Sequence, residues 1–457
     1  MKKNILILII ILGFSKGFSQ NKPVLYDFTE VPQSLMFNPG AEVNHKWHIG
    51  IPALSGTSLA VGLKGFKVTD LFANDGLDIN TKLENLIFKL NTTDNIAINQ
   101  QIEFLNGGVR LPNEKDYLSF GFYEEFNFIG YYPKDLAIFL FEGNKEIGRV
   151  FHVESIKLKA DLVGVFHIGI NRRFNEKFTA GARFKIYSGA LDIKSINNSG
   201  LFFTTKGINN IYRHNLQNID LKVQSSGFFN GDVYDEKFYK KLFNKIISGN
   251  NLGVGFDFGL TYKPNKQTKI TASILDLGFI KYSNQVIGAT AKGDYTTEGV
   301  QLEPPIISGI NYFQQIIDGF DASIDGKTNY DSYITFRDPK INGSIGYSFG
   351  LPHLEECFKP RFDNPYRNQI GMQFFSIVRP KQPQLATTVF YYRRVNKYLR
   401  TKLTYTVDSY SPSSVGFGLS SHIGHFNLYG SFINLFGANN FYNSNYNAFQ
   451  FGMNVIF

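Results

Sequence analysis

The final twelve residues, YNAFQFGMNVIF over 446–457, constrain the fold more than any other stretch. An extended strand sends alternate side chains to opposite faces. Phe449, Phe451, Met453, Val455 and Phe457 therefore share one face, which is wholly apolar. The other face carries Ala448, Gln450, Gly452, Asn454 and Ile456, small or amide-bearing apart from Ile456. A strand with hydrocarbon on one side and a wet lumen on the other has this pattern. An amphipathic edge strand of a soluble β-protein is the plainer alternative.

The other end of the chain argues for export. Lys2 and Lys3 precede the apolar run 5–12, and Gly17-Phe18-Ser19 places small residues before a cut at Gln20. This resembles a secretory signal peptide, since the run falls short of the roughly 20 apolar residues that span a bilayer. No Cys lies near the cut, so lipid attachment is not expected, and residues 1–19 are set aside. The remaining 438 or so residues hold no linker or low-complexity segment, and one large barrel accounts for that length.

Mean hydropathy is −0.15, and no later stretch reads as a transmembrane helix. Barrel strands escape that test because they alternate. Aromatic residues make up 16% of the chain, with 45 Phe and 25 Tyr, which suits lipid-facing bands and interfacial girdles. Removing Lys2, Lys3 and Lys16 lowers the formal charge from +9 to 9 − 3 = +6. The basic residues are dispersed among Asp and Glu, so nothing marks a nucleic-acid partner. Mild basicity suits contact with anionic outer-membrane lipid. Cys357, the only cysteine, sits in HLEECFKP, reads as part of a connection, and forms no intramolecular disulfide.

Several segments repeat the terminal alternation. Residues 117–126 set Leu118, Phe120, Phe122 and Phe126 against Tyr117, Ser119, Gly121, Tyr123 and Glu125, with Glu124 the one misfit. Residues 156–170 set Ile156, Leu158, Leu162, Phe166 and Ile168 against Lys157, Lys159, Asp161 and His167. Residues 178–187 and 252–262 alternate as cleanly, the second with Gly253, Gly255, Asp257, Gly259 and Thr261 on its small face. Further strands are expected at 133–141, 269–282, 341–349, 369–378, 385–392, 399–407, 414–421 and 426–435. Residues 45–64 read as one strand interrupted at Pro52 and Gly56. Fourteen strands is the preferred count, with twelve to sixteen open, since bacterial single-chain barrels have even numbers.

Connection lengths alternate. Short polar turns fall at 171–177, 263–267, 393–397 and 421–425, and long ones at about 65–115, 189–249 and 283–340. Barrels of this class have short periplasmic turns and longer extracellular loops. Helix-like pieces are expected inside the long loops, at 235–247 and 312–320.

Three short motifs carry a resemblance: QSLMFNPG over 33–40, HIGIPALSG over 48–56, and YKPNK followed by ILDLGFI over 262–280. Together they resemble a Bacteroidota outer-membrane barrel family of unknown function. Asn38-Pro39 is also similar to the turn before the first strand of FadL-like barrels and of PorP/SprF-like proteins of type IX secretion and gliding. Gly40 stands where that turn usually has Ala. The FadL-like resemblance implies that residues 20–44 plug the lumen of a barrel formed by 45–457, with Asn38-Pro39 as the plug turn. The closing Phe457 resembles the C-terminal insertion signal of outer-membrane barrels, which implies the barrel assembly machinery as a partner.

Charged residues on strand faces opposite the apolar ones should point into the lumen, because Arg or Lys facing hydrocarbon costs roughly 2–4 kcal/mol near the midplane. The candidates are Lys157, Lys159, Asp161, Arg183, Lys185, Asp257, Arg400 and Lys402. They either fill the interior with a polar network or touch a solute. Ile270, Ala272 and Ile274 set one phase and Leu275, Leu277 and Phe279 the other, with Asp276 and Gly278 between. Such a phase switch marks a bulge, which either relieves twist or opens the wall sideways for a greasy substrate, as the FadL-like resemblance implies.

Enzyme signals are poor. The pairs His45/His48 and His422/His425 follow no zinc pattern with further ligands, and Ser421 and His422 point to opposite faces. No cofactor, metal or catalytic residue is expected. The expectation is an all-β, antiparallel transmembrane barrel in the bacterial outer membrane. A channel for hydrophobic or amphipathic solutes comes first, with a mostly apolar pocket behind the plug. The alternative is a scaffold that holds a secretion or adhesin protein, with a filled lumen and contacts such as the stretch 351–368.

Overall fold

A computed structural model of the chain describes residues 23–144, 146–227, 238–299, 312–350, 366–411, 413–435 and 441–457. The signal-peptide reading of 1–19, Cys357 and most of 351–368 lie outside the described residues.

Twenty strands join in one sheet among the described residues. The wall opens with β1 (Trp47–Gly50), β2 (Thr57–Leu63), β3 (Asn95–Arg110) and β4 (Asp116–Tyr131). After the short β5 (Val150–His152) come β6 (Lys157–Arg173) and β7 (Phe178–Lys206). β8 (Tyr212–Ser226) leaves the wall, which resumes with β9 (Leu252–Tyr262) and β10 (Thr268–Tyr282). β11 (Val286–Thr297) and β12 (Ile324–Asn329) again stand outside it. β13 (Tyr333–Phe336) and β14 (Lys340–Phe349) return, followed by β15 (Asn368–Ile377), β16 (Gln384–Arg394) and β17 (Leu399–Asp408). β18 (Ser414–Ile423), β19 (Phe426–Ile433) and β20 (Tyr446–Ile456) finish the wall.

β1 and β2 both pair with β3 on one side and β20 on the other, so they are one interrupted wall strand. β13 and β14 both pair with β10 and form a second. Counted this way, the barrel is closed, antiparallel and 14-stranded. The first interruption is a turn in which Leu54 N–H donates to Ile51 O at 2.9 Å and Met453 N–H to Leu54 O at 2.8 Å. Pro52 within it has no N–H to offer the ladder.

The faces sort as lipid and lumen require. Along β9 every apolar residue from Leu252 to Tyr262 is exposed, and Gly253, Gly255, Asp257, Gly259 and Thr261 are buried. β20 repeats the pattern, with Phe449 and Phe451 exposed and Gln450 and Asn454 buried. An apolar exterior around a polar interior inverts the arrangement of a water-soluble domain and is that of a transmembrane barrel. No helix among the described residues is long and apolar enough to cross a membrane. The seam closes where Phe457 stacks on Trp47, ring centroids 4.0 Å apart, and on His425 at 3.8 Å.

Two expected elements differ. Residues 133–141, expected as a strand, form a helix, Lys134–Glu142, that buries Ile138 against Ile87 and Phe151. Its apolar run is continuous rather than alternating, and such a run suits either element. Conversely, the expected connection 65–115 contains β3 and the short turn 111–115. The long connections also hold more strand than expected. The upper part of β7 pairs with β8, β8 with β11 and β11 with β12, so a sheet stands above the long-loop end of the barrel. Helices Phe238–Ser248 and Tyr312–Ser323 occupy the two expected helical pieces.

Candidate functional site

The described part of the N-terminal segment, 23–44, is an irregular chain whose backbone groups must find partners once buried. Pro32 starts a short 3₁₀ helix, Pro32–Met36, where its missing N–H is no loss. Asn38 then closes a turn by accepting the Gly40 N–H at 2.9 Å. The remaining groups go to inward side chains of the wall. Asn171 donates to Pro39 O at 2.7 Å and Ala41 O at 2.8 Å, and Thr261 to Gly40 O at 2.8 Å. Arg183 reaches Met36 O at 2.8 Å and Ser273 reaches Phe37 O at 2.6 Å. Gln33 and Asn454 exchange two bonds of 3.0 Å, and Gln33 also donates to Glu103 at 3.1 Å. Lys402 holds the carbonyls of Pro23 and Tyr26. Tyr26 bonds the Thr271 hydroxyl at 2.9 Å; burial, then the neighbouring Asp27 carboxylate, raises its phenol and keeps it protonated.

The turn at Asn38-Pro39-Gly40 sits on two wall glycines. A Cβ on Gly181 would stand 2.0 Å from Pro39 O, and one on Gly259 would stand 2.0 Å from the Asn38 side-chain oxygen. The same closeness explains Gly40, whose own Cβ would lie 2.3 Å from Gly259 O.

The wall beside this segment is broken. On β10 the register slips between Ile274 and Leu277, so Leu275 and Asp276 both turn inward. Asp276 has φ +61°, a left-handed geometry that Asp tolerates better than most residues. Opposite the slip the partner strand is itself interrupted: pairing stops at Leu275 with Lys340 and resumes at Phe279 with Phe336. Pro339 lies in the gap and cannot donate to the ladder; a single bond, Arg337 N–H to Gly278 O at 2.9 Å, crosses it.

Side chains close what the backbone leaves open. Asp276 takes Lys185 at 2.6 Å and Lys340 at 2.9 Å. Asp257 takes Arg183 at 2.7 Å and Lys185 at 2.9 Å, and accepts the Asp276 N–H at 2.7 Å. Arg337 binds Glu125 at 2.8 Å and also Asp161, and Lys340 binds Glu125 at 3.0 Å. Asp338 pairs with Lys159 and, at 3.3 Å, with Arg379.

A cavity of about 70 Å³ lies between this cluster and the N-terminal segment. Tyr26, Met36 and Phe37 form one wall of it, Leu275, Phe375 and Ile377 add apolar surface, and Lys185, Asp276, Lys340 and Arg379 add charge. A second, much smaller space of about 10 Å³, bounded by Arg337, Asp338 and Arg379, adjoins the break. Most of the larger cavity's lining surface is apolar, with the charged groups set into it.

Of the lumen candidates, Lys159, Asp161, Arg183, Lys185 and Asp257 meet in this cluster. Lys157 lies half-buried at the rim above it. Lys402 is buried on the opposite wall against the N-terminal segment. Arg400, half-buried near the short-turn end, donates to Lys397 O at 2.9 Å and joins neither group. Glu125, Arg337, Asp338, Lys340 and Arg379 complete the cluster but were not singled out from sequence. Of the histidines, His48 bonds Asn106 at 2.7 Å and Tyr117, knitting the start of the first strand to β3 and β4.

A family model matches residues 39–432. The chain belongs to the family of unknown function DUF5723. No curated protein matches the chain in sequence. Among solved structures, it is similar to the Ralstonia pickettii toluene transporter TbuX, at 9% identity over 93% of this chain and 94% of that one, with a TM-score of 0.41. A Pseudomonas aeruginosa FadL homologue aligns at 9% identity over 94% of each chain, TM-score 0.45. The translocator domain of the Neisseria meningitidis autotransporter NalP aligns at 6% identity over 96% of this chain and all of that one, TM-score 0.33. Superpositions this loose carry no functional argument, and the barrel rests on its own strand registers.

Proposed function

We propose that the chain is an outer-membrane channel for hydrophobic or amphipathic solutes, stoppered by residues 20–44 and gated at the break between β10 and the strand formed by β13 and β14. The observation that carries this reading is the coincidence of three features at one height. The ladder is interrupted, salt bridges and a single backbone bond close the interruption, and an amphipathic cavity lies directly behind it. A purely structural bulge needs no cavity behind it. The apolar belt supports residence in the membrane, and the long-loop end would face outward. An apolar or amphipathic solute would rest its tail on Phe37, Phe375 and Ile377, with any polar group facing Lys340 and Arg379.

Stapling the ladder beside the break tests the reading. Phe279 and Phe336 stand directly opposite and both are exposed. In a Cys357→Ser background, an oxidised Phe279→Cys/Phe336→Cys pair should slow uptake of a fluorescent fatty amine or hydrocarbon dye by expressing cells. Reduction should restore it. Uptake indifferent to the staple, together with bilayer conductance indifferent to deletion of 20–44, would overturn the proposal.

A further inference from the structure

The helix Phe238–Ser248, FYKKLFNKIIS, has no place in the lumen. Its residues sort into rows four apart, which share a face. Leu242 and Ile246 form the row packed against protein, in a cluster with Phe122 and Phe126 of β4, Leu162 of β6 and Ala190 of β7. Those wall residues face outward, because Phe122 pairs with Phe166, and Ile168 and Ile170 beyond it on the same face are exposed. The helix therefore lies on the outside of the barrel, across its strands. A Cβ on Gly164 would stand 1.9 Å from Ile246 O, so the glycine makes the seat. The C-terminal turn is pinned by Ser188, which donates to Lys245 O at 2.7 Å and accepts Gly249 N–H at 2.8 Å.

The two flanking rows differ. Phe243 and Ile247 are 44% and 39% exposed, and Phe243 meets Phe104 edge-on at 5.7 Å, continuous with the belt. On the other side, Lys245 bonds Gln285, which lies past the end of β10 at the long-loop rim. Lys241 shares that row, Lys240 is exposed, and the helix contains no acidic residue. Beneath it, on the same outer face, Glu124 accepts a bond from Gln100 and is 6% exposed. The helix thus has an apolar edge toward the belt and a basic edge toward the rim, over a wall patch too polar to meet hydrocarbon.

We propose that this helix is a lipid-binding element of the barrel's outer face. It sets Phe243 and Ile247 among acyl chains and gathers the anionic headgroups of the surrounding leaflet with Lys240. The occupant is membrane lipid because the exposed apolar row continues the lipid-facing belt.

The test uses the full chain in phosphatidylcholine vesicles, with Cys357→Ser and a bimane label at Ile247→Cys or Asn244→Cys. Acyl-brominated lipid should quench the Ile247 label at least about threefold more than the Asn244 label. Brominated phosphatidylglycerol should quench the Ile247 label more strongly than brominated phosphatidylcholine at equal mole fraction. An apparent enrichment of about fivefold is expected from one lysine near an anionic surface. Lys240→Ser should abolish that preference and leave acyl quenching in place. Equal iodide quenching of both labels would overturn the lipid-facing placement, and equal quenching by the two lipids would overturn headgroup binding. Heat-modifiable migration of every variant confirms that the barrel is formed.

Discussion

Replacing Gly40 by alanine should unseat the turn of the lumen segment while leaving the barrel intact. The new Cβ would lie 2.3 Å from Gly259 O and 2.6 Å from Leu260 N. Ordinary contact begins near 3.4 Å, so something must move by roughly 1.1 Å. Gly259 and Leu260 are held in the ladder by β7 and β10 on either side, so the turn yields. Four bonds fasten it there: two from Asn171, one from Thr261, and Asn38 to Leu260 O at 3.2 Å. A shift of that size stretches each beyond bonding range. At a net 0.5–1.5 kcal/mol apiece, the loss is about 2–6 kcal/mol. The seated fraction then falls by at least about thirtyfold relative to the unseated one. Single-channel conductance in planar bilayers should rise. Maleimide labelling of a Ser34→Cys reporter, buried in the parent, should accelerate in the Cys357→Ser background. Conductance and labelling rates identical to the parent would refute the close-packed seat and the steric account of Gly40.

Other perturbations report on the remaining parts. Arg337→Met strands Asp161 and leaves Glu125 to Lys340 alone, and should cost about 3–5 kcal/mol in urea unfolding of the refolded barrel; adding Asp161→Asn should recover much of that. Phe256→Arg places a cation on the lipid face midway along β9 and should cost about 2–4 kcal/mol in folding into vesicles, with no change in the lumen cluster. Lys402→Met takes a donor from the carbonyls of Pro23 and Tyr26 and leaves the second to Gln373 alone, loosening the start of the lumen segment by about 1–3 kcal/mol, read as faster proteolytic clipping there. Phe457→Ala removes the stacks on Trp47 and His425, each worth about 0.5–1.5 kcal/mol, and should slow the appearance of the heat-modifiable folded form.

Strand alternation was legible where a strand has lipid on one face and lumen on the other, as along β9 and β20. It failed where protein covers the outer face. β3 carries Gln100 outward and slips register between Glu103 and Leu105, so its pattern is blurred, and Glu124 looked like a misfit on β4 because a helix from a distant loop packs there. Fourteen was the right number for a partly wrong reason, since 133–141 was counted as a strand and β3 was not. Arg183, Lys185 and Asp257 were legible as lumen charges because regular alternation points them inward. Arg337 and Lys340 were not, because Pro339 breaks their strand and the stretch before it read as loop. The contacts of Gln33 and Tyr26 have no periodic signature, since an irregular segment borrows its partners from strands far away in sequence.

β7 is 29 residues long and is hydrogen-bonded on both sides of the barrel's rim. Its lower half carries Gly181, on which the lumen segment sits, and Arg183 and Lys185, which hold that segment and the wall break. Its upper half is the root of the external sheet. Mechanically it is a beam with one end in the sheet above the barrel and the other under the lumen segment. A pull or twist on that sheet would reach Arg183 and Lys185 along one strand, with no loop between to absorb it, and pass to Asp276 through the Lys185 ammonium.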